Sequence, residues 1–101
     1  SRRMDLSFVV PYGADIAEIE KILLDAARET PAALANPPPF FMPDQLGPNG
    51  TAIIFGVWFN QEDFVEVRRR LVPHIANRLA DIGLKPAAQT IRLEEPGSRA
   101  G

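Results

Sequence analysis

The chain has 101 residues, of which 46% are hydrophobic and 24% charged; its formal net charge is -2 and it has no cysteine. One domain of this length can bury a single core without staples, and the composition is that of a globular chain. The missing cysteines exclude a disulfide framework and a thiolate metal site. The weak acidic balance argues against nucleic acid as a partner, since capture of phosphates needs many cations on one face.

No apolar run approaches the ~18 residues that span a bilayer. The longest, Ala52 to Phe59, is broken by Gly56, and no apolar signal region follows the basic start Ser1-Arg2-Arg3. As given, the chain reads as soluble, whether or not it is a piece of a membrane protein.

In chain order, Leu6-Ser7-Phe8-Val9-Val10 is apolar and rich in β-branched residues, and Pro11 ends it as a first strand. Asp15, with Glu18 three residues on, makes a capping-box-like start for a helix. Ile16, Ile19, Leu23 and Ala26 continue it at helical spacing to about Glu29. Pro37-Pro38-Pro39 is stiff and extended. Phe40 to Leu46 reads as a second strand whose Pro43 points to a sheet edge or a bulge.

Gly47-Pro48-Asn49-Gly50 is a turn, and Thr51 to Phe59 follows as the strongest strand. Its apolar residues on both faces suggest a central strand covered on both sides. Asn60 is placed to cap a second helix with the stripe Phe64, Val67, Leu71, Ile75, Leu79 and Ile82. Gly83 ends that helix, and Pro73 inside it predicts a kink. Gln89 to Glu94 alternates as a last strand, and 96–101 reads as a disordered tail after a single domain over 1–95.

The fold class is therefore α+β. The order β-α-β-β-α-β is the ferredoxin-like pattern, an antiparallel sheet with two helices on one face. The expected core is Phe8, Val10, Ile19, Leu23, Ile54, Trp58, Phe64, Val67, Leu71, Ile75 and Leu79.

The residues that carry chemistry are few. His74 is the only histidine, and without a second histidine or a cysteine it cannot build a metal site; it reads as a boundary residue of a helix. Asp15 and Glu18 form a carboxylate pair better placed for capping than for acid–base work. Gly47 to Gly50 lacks the Gly-Lys-Ser/Thr ending of a phosphate loop and joins two strands. Arg68-Arg69-Arg70 and Arg78 read as a solvated helix face, or as cations meeting acidic groups of a neighbouring subunit. Phe40, Phe41, Phe55, Trp58 and Phe59 read as core or interface rather than as a base-stacking platform. No acid–base pair supports a hydrolase or transferase.

Four short motifs do carry a resemblance. Val10-Pro11-Tyr12-Gly13-Ala14-Asp15, Asp44-Gln45-Leu46-Gly47, Val57-Trp58 with Asn60 and Asp63, and Ile82-Gly83-Leu84 with Pro86-Ala87-Ala88-Gln89 occur in order over residues ~4 to 94. Together they resemble the C-terminal domain of small-conductance mechanosensitive (MscS-like) channels. The departures are Ala88 in place of the second proline of the closing motif, a spacing from Gly83 to Gln89 one residue short, Pro73 in the second helix, and Gly56, standing where that family often carries a larger residue.

The resemblance implies a homo-oligomeric parent, heptameric in the family, opened by membrane tension and releasing solutes on osmotic downshock. The transmembrane segments would precede Ser1, and this domain would form the lower wall of a cytoplasmic vestibule. It implies no cofactor and no catalytic residue.

The resemblance also implies that the last strand, with Gln89, Thr90, Ile91, Arg92 and Leu93 as the candidate oligomer strand, joins equivalent strands of other subunits in a small barrel. The alternative is that it folds back beside the first strand; the barrel is the arrangement favoured here. The rival to the whole reading is a free-standing ferredoxin-like module that binds a small ligand or regulates.

Overall fold

The computed structural model describes residues 1–84 and the backbone of 89–94, with the side chain of Leu93. Its elements are β1 (Arg2–Val10), α1 (Ile16–Arg28), β2 (Phe40–Leu46), β3 (Thr51–Phe59), α2 (Phe64–Asp81) and β4 (Gln89–Glu94). The four strands form one antiparallel sheet in the order β2-β3-β1-β4. Both helices contribute to a single core cluster, so they share one face of the sheet, as the ferredoxin-like pattern requires.

Strand parity decides what is buried. Successive residues of a strand point to opposite faces. Along β1, Met4, Leu6, Phe8 and Val10 lie under the helices and are buried. The β1–β3 register pairs Met4 with Val57, Leu6 with Phe55 and Phe8 with Ile53, so Ile53, Phe55, Val57 and Phe59 fill the same layer. From above, α1 adds Ile19, Ile22, Leu23, Ala26 and Ala27, and α2 adds Val67, Leu71, Ile75 and Leu79.

Phe8, Val10, Ile19, Leu23, Val67, Leu71, Ile75 and Leu79 are thus core as expected. Ile54 and Trp58 are not: they have the other parity and lie half-buried on the helix-free face. Phe64 is also half-buried, its ring tilted against Phe59 at 5.6 Å between centroids. The strand β3 is central, but helices cover it on one side only. A run of apolar residues on both parities gave no means of choosing between them.

The helix ends follow their sequence signals. Asp15 accepts a hydrogen bond from the Glu18 N–H at 3.2 Å, satisfying one of the free donors of α1. Gly83, at φ +81°, ends α2. Its N–H donates to the Ala80 carbonyl at 2.9 Å and the Leu84 N–H donates to Leu79 at 3.0 Å, which is the Schellman arrangement.

Asn60 does not cap with its side chain; a 3-10 turn, Gln61–Asp63, intervenes before α2. The helix α2 continues through Pro73, which faces solvent. The Arg69 carbonyl deprived of its donor is therefore on the side that water reaches. Strand β1 starts at Arg2, four residues before the apolar run, because Met4 continues its buried parity. In β2 the register shifts between Pro43 and Gln45 at the sheet edge, the bulge that a strand proline suggests.

The last strand pairs with β1 of its own chain, from Phe8↔Gln89 to Arg3↔Glu94. Of the two arrangements open to it, the chain adopts the one that completes its own sheet, not the favoured barrel. Pairing within the chain satisfies the N–H and C=O groups along that side of β1 without the entropic cost of association. The tail over 96–101 lies outside the described residues, as do Pro86, Ala87 and Ala88 of the closing motif.

Leu71 is fully buried. Leu71→Ala should cost about 2–5 kcal/mol, measured by urea unfolding; a loss below about half a kcal/mol, the range of ordinary surface substitutions, would mean that α2 packs through another face.

Candidate functional site

The titratable groups that meet across elements lie where the end of α1 faces α2. The His74 Nε2–H donates to Glu29 Oε1 at 2.7 Å, and the Arg78 guanidinium stands 3.7 Å from the same oxygen. Thr30, buried beside them, donates its hydroxyl to the Ala26 carbonyl at 2.9 Å. The hydrogen bond from His74, followed by the positive charge of His74 and Arg78, holds the Glu29 carboxyl below its usual value despite some desolvation.

This cluster staples two helices together. Its one histidine has no second ligand, and among the described residues no group of three or more His, Cys, Asp or Glu could hold a metal ion.

The arginines of α2 are mostly matched within the chain. Arg70 Nε donates to Glu66 Oε2, and Arg69 lies 3.7 Å from Glu66 Oε1. With Arg78 on Glu29, three of the four cations have acidic partners one turn away or on the neighbouring helix. Such exposed pairs contribute little individually, and they leave Arg68 as the one exposed to solvent without such a partner.

Two of the motifs quoted above meet in space. The Tyr12 hydroxyl, in the β1–α1 turn, donates to the Gly47 carbonyl in the β2–β3 hairpin. The hairpin closes with the Gly47 N–H donating to Gly50 at 2.9 Å. Val10-Pro11-Tyr12-Gly13-Ala14-Asp15 and Asp44-Gln45-Leu46-Gly47 are thus the two halves of one joint. Their hydrogen bonds hold the backbone of the two turns together.

The helix-free sheet face carries a constellation that sequence reasoning missed. Arg3 forms a forked pair with Asp5, Nε to Oδ1 at 2.8 Å and Nη2 to Oδ2 at 3.1 Å. Its guanidinium lies 4.9 Å from the Phe40 ring centre and 5.6 Å from that of Trp58, within the range of cation–π attraction. Asp5 is only 7% exposed.

Gly56 explains how the pieces fit. A Cβ there would come within 2.2 Å of the Phe40 ring and 2.9 Å of Asp5 Oδ1. The space that a side chain at Gly56 would need is taken by the ring of Phe40, its register partner on β2. The signal lay in Arg3, Asp5, Gly56 and Trp58 having one parity, which becomes visible only with the β1–β3 register known.

Among the candidate oligomer residues, Gln89, Thr90, Ile91, Arg92 and Leu93 lie on β4 at the edge of the sheet; the Leu93 side chain is exposed. Among the described residues no helix is long and apolar enough to cross a membrane.

The pH dependence of stability follows from Glu29 and Asp25. Glu29 is held below its ordinary carboxylate value by the hydrogen bond from His74, and Asp25 below its own by that from Lys21 and then Arg28. Depressed carboxylates stabilise the fold fully above their unfolded values, and that stabilisation is lost as pH falls through the lowered ones. Urea midpoints taken from neutral pH down through the acid range in which carboxylates titrate should therefore fall less steeply for Glu29→Gln than for the parent chain. Parallel curves would remove Glu29 from the acid response.

Compared with solved structures, the fold is similar to At3g17210 from Arabidopsis thaliana at 15% identity, covering 99% of each chain with a TM-score of 0.68. It is also similar to SnoaB, a cofactor-independent oxygenase from Streptomyces nogalater, at 14% identity, 98% and 95% coverage and a TM-score of 0.58. A dimeric ferredoxin-like protein of unknown function from Thermobifida fusca matches at 14% identity, 94% and 91% coverage and a TM-score of 0.50. At such identities these likenesses establish the ferredoxin-like fold alone. No curated protein matches the sequence. The family model for the C-terminal region of the mechanosensitive ion channel MscS matches residues 4–85, from β1 to just past the Gly83 cap. The chain therefore belongs to the family of MscS C-terminal domains.

Proposed function

We propose that this chain is the vestibule-wall and oligomerisation domain of a membrane-tension-gated channel that releases solutes on osmotic downshock. The observation that carries the reading is the family match over residues 4–85, which takes in β1, β2, β3 and both helices. In this role the domain is a rigid wall and performs no catalysis. It sits on the cytoplasmic side of the plasma membrane, attached to membrane-spanning segments N-terminal to Ser1, in a homo-oligomer that is heptameric by family resemblance.

The physical character of the chain suits a wall. Its helix surfaces are laced with ion pairs such as Lys21–Asp25 at 3.0 Å and Arg28–Asp25 at 2.8 Å, and its junctions are tied by backbone and Tyr12 hydrogen bonds. Contact between subunits through Gln89, Thr90, Ile91, Arg92 and Leu93 would use the outer edge of β4, because the inner edge is taken by β1.

A second reading is a free-standing ferredoxin-like ligand-binding or regulatory module. The ferredoxin-like fold, which hosts many unrelated functions, is compatible with it.

Reading the gene upstream of Ser1 separates the two. The channel reading expects at least one segment of ~18 or more apolar residues there, and rescue of a channel-deficient strain from osmotic downshock by the full gene. An upstream region without such a segment would exclude it and leave the second reading.

A further inference from the structure

The two most exposed large apolar side chains among the described residues lie on opposite flanks of the domain. Leu46 is 78% exposed at the end of the edge strand β2, and Val65 is 70% exposed on α2. Helix α1 reaches β2 and packs beside α2, so α2 covers the β1–β4 half of the sheet. Val65 and Val72 precede His74 by nine and two residues, roughly half a turn around the helix at ~100° per residue. His74 meets Glu29 at the end of α1, so the two valines look away from α1, toward the β4 flank.

The two flanks are complementary in shape and charge. On α2, Phe64, Val65, Val72 and Pro73 line an open groove of about 380 Å³, whose only charged members are Arg68 and Arg69. Of the two acids of α2, Glu66 is shared by Arg69 and Arg70, and Asp81 lies more than two turns beyond Pro73. Glu62 and Asp63 sit in the 3-10 turn ahead of the helix, outside the lining. Arg92 and Glu94 of β4 pair with Asp5 and Arg3 and so have the parity of the other sheet face.

On the β2 flank, Leu46 adjoins Gly47, whose carbonyl accepts from Tyr12, itself 56% exposed. Asp44, Asp15 and Glu18 flank this corner and are exposed. No Lys or Arg occurs from Pro11 to Glu20 or from Phe40 to Phe59, so the corner is acidic throughout.

We propose that the acidic corner at Leu46 and Tyr12 seats in the basic α2 groove of a second copy of the chain, head to tail. The inference rests on the oligomeric reading above and names the two surfaces that meet. A contact between two different surfaces repeats around a ring, and the groove lies on the β4 flank, where that reading places the subunit contact. Pro43 and the bulge beside it keep β2 from continuing a neighbour's sheet, so this edge is covered through its side chains. The contact takes Leu46 and Val65 out of water together and brings Asp44 toward Arg68, fixing register by opposite charge. A small molecule suits the groove less well, because the lining offers no buried polar group to orient one.

The chain has no cysteine, so introduced thiols report the contact without background. Asn49→Cys marks the hairpin beside Leu46, and Ala76→Cys lies one turn beyond Val72; both positions are exposed. The two 101-residue variants, mixed at high micromolar concentration with a short bismaleimide, should give a cross-linked dimer of one of each. Lys21→Cys on α1, mixed with Ala76→Cys, sets the level of chance encounter. A chain carrying both Asn49→Cys and Ala76→Cys should give a ladder of longer species.

Adding Leu46→Glu to the first partner, or Val65→Glu to the second, should lower the mixed product about tenfold. Arg68→Glu should lower it about two- to fivefold, the effect of an exposed charge pair, and Asp44→Arg in the opposite partner should recover it. Far-UV circular dichroism checks that each variant is folded. Mixed product no higher than the Lys21→Cys level would overturn the proposal, as would a yield unmoved by both Leu46→Glu and Val65→Glu. So would either marker cross-linking to itself as readily as to the other, the result of a twofold contact. An upstream membrane-spanning segment together with any of these failures would remove this contact and leave the channel reading in place.

Discussion

The pairing of β1 with β3 is the constraint on which the rest of the structure depends. Because side chains alternate along a strand, a slip of one residue would exchange the two faces. Met4, Leu6, Phe8 and Val10 would then face water, and Arg3, Asp5 and Ser7 would be driven under the helices, where an ion pair has to offset its full desolvation. The observed register instead sets Asp5 against Gly56. That is the one place along β3 where the missing side chain leaves room for a carboxylate and the Phe40 ring together. The same pairing puts Phe55 and Phe59 in one buried cluster with Leu71 and Leu79. One choice of register thus places the core, the free face and the Arg3 cluster.

Much of this was legible in the sequence, wherever the signal was local. The helix start at Asp15 and the stop at Gly83 are both capping effects confined to a few residues. The proline in β2 announced the irregular edge, and the order of elements implied the fold class. What could not be read was anything that depends on which strand faces which. Ile54 and Trp58 entered the expected core because Ile53, Ile54, Phe55, Val57, Trp58 and Phe59 are apolar at both parities. Period two cannot choose a face when neither face is polar. The Arg3–Asp5–Phe40–Trp58 cluster joins three strands, so no spacing along the chain could reveal it. Asn60 precedes a 3-10 turn rather than α2 itself and makes no side-chain cap.

The motifs that identified the family are informative about why function stayed coarse. They are joints: Tyr12 reaching Gly47, the Gly83 cap, the passage from Trp58 through Asn60 into α2. Residues that shape turns and caps define a fold in any of its uses. They do not report on ion preference or on the chemistry of a ligand. The family match ends at residue 85, so the last strand is the part of the chain for which the family resemblance and the observed pairing give different expectations.

The strand β4 therefore tests the account most directly. If β1 needs β4 to satisfy its outer edge, a chain ending at Ala87 leaves that edge of β1 open and exposes the side of the core that Met4 and Leu6 line. Urea unfolding followed by far-UV circular dichroism on that shortened chain should show a strongly weakened or lost cooperative transition. A shortened chain that unfolds as cooperatively, and at the same urea concentration, as the full one would contradict a self-completed four-stranded sheet and return β4 to a role between subunits.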